Sequence, residues 1–236
     1  MGSRTTSRSV PPRPSDSSSL RSLLSIRPSW KDPHLPIDIS DLPRLPEIRD
    51  SARSVQALTH PNYFYHPPGR RSDLSIDEMT MLSYEPLEVI GDRQLGISVA
   101  LALHRQFPFL TPGPTSTVIS RLVANHTLSF LGVAYCLDRR MRTSSTADGN
   151  IGSSQKIAAD LFEAHIGGLV LAGQTRCAEA WLNEVFSPRV FPSLRDFAVG
   201  LMDAVDEKRI GTSRSKRKAE VHGKLHLLDV ERRFCY

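Results

Sequence analysis

Five acids fall in stretches that otherwise read as buried helix. Glu85, Glu88 and Asp92 lie in YEPLEVIGDRQLG (84–96), and Asp160 and Glu163 in KIAADLFEAHIGGLVLAG (156–173). At about 100° per residue, Glu88 and Asp92 share one helix face, with Glu85 about one turn earlier. That face runs on into Leu95, Gly96 and Val99, and the face of Asp160 and Glu163 into Gly167, Val170 and Leu171. A solvated acidic face would continue with Lys, Gln or Ser. Here like charges meet at the end of an apolar stripe, and their repulsion grows as water is removed. Two compensations are open. The acids can pair with Arg or Lys. Alternatively, if the two helices pack side by side, Glu88, Asp92, Asp160 and Glu163 converge on hard cations such as Mg²⁺ or Mn²⁺, since no Cys or His ligand set lies nearby. Such a cluster suits phosphodiester hydrolysis, in which metal activates water and stabilises the leaving oxygen.

The elements that must position these acids follow from apolar periodicity. Helical pattern occurs around SARSVQALTH (51–60) and over 84–107, 115–137, 155–173, 175–186 and 193–208, with Pro and Gly punctuation such as FPFLTPGP (107–114) between them. No alternating strand pattern is present, so the expected fold is all-α, a helical bundle with long polar loops near 67–80 and 142–154. Leu87, Ile90, Leu95, Ile97 and Leu101 cover most of the circumference of the first acidic helix, which predicts a helix surrounded by protein. Gly91 and Gly167, each about 1 kcal/mol worse than Ala inside a helix, predict the close approach of another backbone or a ligand. His60 and His165 read as packing or hydrogen-bonding residues rather than ligands.

Three segments are expected: a disordered Ser/Arg/Pro-rich stretch over 1–45, a globular domain over 46–208 and a basic tail over 209–236. The first holds one acid, Asp16, before Lys31. Its composition fits a loose tail or a mitochondrial presequence, and its MGSRTT start matches a short myristoylation pattern. The tail RIGTSRSKRKAEVHGK (209–224) fits solvated chain, a nuclear address or an RNA-contacting arm. The net charge of +5 is compatible with a polyanionic partner. Cys136, Cys177 and Cys235 lie far apart, which argues against a disulfide framework or a zinc site and for a reducing compartment. The apolar runs are too short to cross a bilayer, so no membrane association is expected. An intracellular location is expected, nucleus or cytoplasm ahead of mitochondrion.

At these residues the sequence resembles the ribonuclease III family. YEPLEVIGD (84–92) is similar to the family's NERLEFLGD, and KIAADLFEAHIGGLVLAG to its second acidic motif; ALTHPNY (57–63) and RLVANHTLSFLG (121–132) match two further motifs in order. The resemblance runs from about 50 to 190 and implies an all-α endonuclease domain that cuts double-stranded RNA, leaving 5′-phosphate ends. It further implies that Glu88, Asp92, Asp160 and Glu163 bind Mg²⁺ or Mn²⁺, that Glu85 is an accessory acid near the cut, and that the domain pairs as a homodimer or with another ribonuclease III-like chain. Lys156 and the basic tail are expected to meet backbone phosphates. The sequence departs from the family at Tyr84, Pro86, Arg93, Gln94 and Pro114, and Val89 stands where an aromatic often plugs the partner subunit. The residues after the last helix are too few for a double-stranded RNA-binding domain, and none is expected. A second class of protein shares several of these features: a non-catalytic ribonuclease III-like RNA-binding protein of the mitochondrial ribosome's large subunit.

Overall fold

A computed structural model describes residues 35–64, 74–144 and 154–208. Among these there is no β-strand; the one isolated bridge pairs Thr59 with Arg142. The helices are α1 (Ser51–Gln56), α2 (Ile76–Leu82), α3 (Glu85–Gln106), α4 (Pro112–Leu122), α5 (Asn125–Ala134), α6 (Leu137–Arg140), α7 (Gln155–Leu171) and α8 (Thr175–Val185). A last helix, α9, is described over 194–208. The expected loop near 67–80 thus contains α2, which opens on a reciprocal capping box between Ser75 and Glu78. The single helix expected over 115–137 is three. α4 ends at Leu122, Ala124 is extended before α5, and left-handed Cys136 (φ 56°) turns the chain into α6.

The central element is α7, in which every residue from Ala158 to Leu169 is buried. It is wrapped by α3 on one side and α5 on another, with α1, α6 and α8 closing around it. Both main contacts are backbone-close. A Cβ at Gly91 would overlap the Glu163 carbonyl, one at Gly167 the Leu87 carbonyl, and one at Gly132 of α5 the Ala158 carbonyl. The close approach expected at Gly91 and Gly167 is therefore a helix–helix crossing rather than a ligand contact. Beneath it Phe162, Trp181 and Tyr135 form an aromatic cluster, with ring centroids 5.5–6.3 Å apart.

Two expectations need correction. Residues 35–45, placed in the disordered segment, are ordered and packed: Leu35, Ile39, Leu42 and Ile48 are all buried in the core. The strap is held by Asp38 N–H on the Val190 carbonyl (2.7 Å), Tyr135 Oη on the Pro43 carbonyl (2.9 Å) and Gln174 Nε2 on the Glu47 carbonyl (3.0 Å). Residues 1–34 and the tail 209–236, with the readings that fall on them, lie outside the described residues. Second, α3 is not enclosed by its own chain: Ile97 is 58% exposed and Leu101 42%. With Val89 and Arg93 they form a line at four-residue spacing along the outer face of α3. No described helix is long and apolar enough to cross a membrane.

Candidate active site

The site lies where α3 crosses α7. α3 begins at Glu85 with Pro86 in its first turn, a position where the missing N–H is harmless, so the departure at Pro86 leaves the helix intact. Glu85 and Glu88 occupy that first turn, where the positive end of the helix dipole favours acids. Ser154 caps α7, its hydroxyl accepting from Ile157 N–H at 3.4 Å. The Gly91–Gly167 contact brings the two backbones together, and one carboxylate oxygen from each of Glu88, Asp160 and Glu163 falls within 4.8 Å of the others.

Three of the four expected ligands therefore converge. Asp92 is not in that group: its side chain is 44% exposed and pairs with its neighbour Arg93 at 3.1 Å. It stays close enough for its charge to act on Glu163. Glu85 sits at the edge, partly buried, its charge acting on Glu88, Tyr84 and His60. Arg93 points outward and neutralises Asp92 rather than the cluster.

Of the two compensations weighed from the sequence, pairing with a basic side chain is present at Asp160 and Asp92. Lys156 Nζ lies 2.6 Å from Asp160 Oδ2. Glu88 and Glu163 receive no hydrogen bond or ion pair from any described residue. Burial, then the charges of Asp92, Glu88 and Asp160, push the Glu163 carboxyl up to about 8. Burial and Asp160 also raise Glu88. Burial alone would lower Lys156, but its bond to Asp160 and the nearby glutamates raise it instead. A buried carboxylate without a counter-charge is unfavourable, and an all-oxygen donor set is what a hard divalent cation takes. The residues fit such an ion.

Sequence reasoning placed no role on Tyr84 beyond a departure from the family motif. The residue is buried at 4% exposure, and its hydroxyl lies 3.5 Å from Asp160 Oδ2. Burial and the surrounding carboxylates raise its phenol above the usual value. Its only sequence signal was its place one residue before an acidic helix. The histidines behave as expected: His60 Nδ1 lies 2.7 Å from Asn62 Oδ1, and His165 Nε2 donates to the Pro46 carbonyl at 2.9 Å. Burial lowers the pKa of both, His165 to about 4.

The model of the Ribonuclease III domain matches residues 85–174, which span α3 to the end of α7 and hold all five acids. Over that stretch the chain is similar to the ribonuclease III family. It is 27% identical over 149 residues to the double-strand-specific ribonuclease of Schizosaccharomyces pombe, covering 63% of this chain and 40% of that one. To a Ribonuclease 3 of Francisella philomiragia it is 37% identical over 92 residues, 39% of this chain and 40% of the relative. The structure of Dicer from Pichia stipitis aligns with a TM-score of 0.49 at 26% identity, over 66% of this chain and 63% of that one. The chain spans about two-fifths of the length of the two curated relatives it is similar to.

Proposed function

We propose that the chain is a metal-dependent endoribonuclease acting on double-stranded RNA. The observation that carries this reading is Glu163: a buried carboxyl grouped with Glu88 and Asp160 that receives no hydrogen bond or ion pair from any described residue. Names of the relatives, a double-strand-specific ribonuclease and a Ribonuclease 3, support the same reading. The non-catalytic ribosomal alternative finds no comparable support.

Glu88, Asp160 and Glu163, with Asp92 at the margin, would hold a divalent cation such as Mg²⁺ or Mn²⁺, which when bound would supply Lewis-acid polarisation of the phosphodiester and offset its developing charge. The protein's part is position. Glu88 and Glu163 are fixed by the helix crossing, Lys156 offsets the charge of Asp160, and Glu85 stands at the rim as the accessory acid. A-form RNA hides its base edges in a narrow major groove, so recognition rests on shape, phosphates and 2′-hydroxyls. Asp160→Asn would remove one ligand and the Lys156 pairing together, so it is a poor single probe of the ion.

A second copy of this chain, or another ribonuclease III-like chain, covers the Val89, Ile97 and Leu101 line of α3, whose apolar exposure suits a subunit contact. Ile97→Glu is expected to shift the protein to monomer in analytical ultracentrifugation and lower cleavage at least roughly ten-fold, because burying an unpaired carboxylate in such a contact costs several kcal/mol. An unchanged sedimentation profile would remove this face from the assembly.

The function is tested by incubating purified protein with long duplex RNA in Mg²⁺. Fragments carrying 5′-phosphate, no cutting of single-stranded RNA and arrest by EDTA are the expected result. Duplex binding without cutting in Mg²⁺, Mn²⁺ or Co²⁺ would replace the nuclease by a structural RNA-binding role.

A further inference from the structure

We infer that Tyr84 is a positioning residue for Asp160, an inference that rests on the nuclease reading above. The Tyr84 hydroxyl is buried, and Asp160 Oδ2 at 3.5 Å is the acceptor that the described residues offer it. Buried hydroxyls find partners. An ionised carboxylate only accepts, so the phenol is the donor. The distance is long for an O–H···O bond, as contacts in a site commonly are before its ligand arrives.

The same oxygen takes Lys156 Nζ at 2.6 Å. Tyr84 approaches from the start of α3 and Lys156 from α7, one helical turn before Asp160. Two donors on Oδ2 fix the carboxyl plane. They leave Oδ1, which accepts from no described side chain, as the oxygen for a cation.

Tyr84 is itself held from behind. Its N–H donates to the Thr59 carbonyl at 2.8 Å, and its ring meets His60 edge-on with centroids 5.7 Å apart. ALTHPNY contributes no acid to the cluster, yet it reaches the cluster through this contact. Orienting groups behind a ligand are typically worth a roughly 10–100-fold change in metal affinity.

Tyr84→Phe keeps the ring and its packing and removes only the hydroxyl. Calorimetric titration of RNA-free protein with Mn²⁺ is expected to give roughly ten-fold weaker binding for Tyr84→Phe than for wild type. The Mg²⁺ concentration for half-maximal cleavage should rise by a similar factor, with kcat at saturating Mg²⁺ much less affected. The metal-free melting temperature should move by no more than about 2 °C. Tyr84→Leu, which also loses the His60 contact, should lower it further. If Tyr84→Phe binds Mn²⁺ as wild type does, the hydroxyl has no positioning role and this inference falls while the nuclease reading stands. If wild-type protein binds no Mn²⁺, both fall.

Discussion

Glu163→Gln is expected to abolish cleavage of duplex RNA, by roughly 10³-fold or more, while raising the melting temperature of the metal-free protein. The two effects have one cause. Burial of Glu163, which is 6% exposed, and then the charges of Asp92, Glu88 and Asp160 hold its carboxyl up at about 8, far above its ordinary value of 4.5. A folded-state pKa above the unfolded one means that its favourable contribution is complete below about 4.5 and is lost as pH rises through about 8. Metal-free wild-type protein should therefore melt lower at pH 8.5 than at pH 6. The penalty is on the order of a few kcal/mol. Gln cannot ionise, so the variant should lack this part of the pH dependence, and adding Mg²⁺ should raise the melting temperature of wild type more than that of the variant. Such opposition between stability and activity is expected where like charges are gathered for function. Calorimetric scans at the two pH values, with and without Mg²⁺, check it. A variant that still cuts, or that melts below wild type without metal at pH 8.5, would show that Glu163 is not the strained ligand described here.

Gly167→Ala is expected, like Gly91→Ala, to be among the most destabilising single methyl additions to the described residues. In an open helix the change would stabilise by about 1 kcal/mol. At 167 the new Cβ would overlap the Leu87 carbonyl and stand 3.1 Å from the Gly91 nitrogen, both main-chain atoms that no rotamer change can move. α3 and α7 would have to separate, opening the core beneath them. Steric overlap in a packed core typically costs 1–3 kcal/mol, and with backbone on both sides a loss of roughly 3–5 kcal/mol is expected. Gly96→Ala is the control: nothing lies within 4 Å of its Cβ position, so it should match or exceed wild type. Urea denaturation followed by circular dichroism compares the three. Equal midpoints for Gly167→Ala and Gly96→Ala would disprove the backbone contact.

Much of this was readable from the residues, and the misses have physical reasons. Acids ending an apolar stripe and glycines inside a helix are costly locally, so they pointed to tertiary causes, and both were found at one crossing. Asp92 shares a helix face with Glu88, but spacing along one helix says nothing of the partner's reach; the side chain lies toward solvent, where Arg93 meets it. The strap over 35–48 was obscured because Pro, Asp and Arg between its apolar residues give it the composition of a linker, while Leu35, Ile39, Leu42 and Ile48 anchor it one by one without a period. Ile97 and Leu101 were read as surrounded by protein, yet the described residues leave both exposed, because periodicity records that a face is apolar, not whose surface covers it. The break between α4 and α5 carries neither Pro nor Gly, only extended Ala124.

Gly91 follows Glu88 by three residues, and Gly167 follows Glu163 by four. The carboxylates are thus spaced by main-chain atoms touching main-chain atoms, about one helical turn away, rather than by interlocking side chains. Aliphatic residues elsewhere in the bundle can be exchanged over evolutionary time without altering the gap between the acids. Divergence of the surrounding sequence should therefore leave the two glycines, like the acids, as fixed points, and a relative that keeps the acids but carries a larger residue at either glycine is expected to have lost the chemistry first.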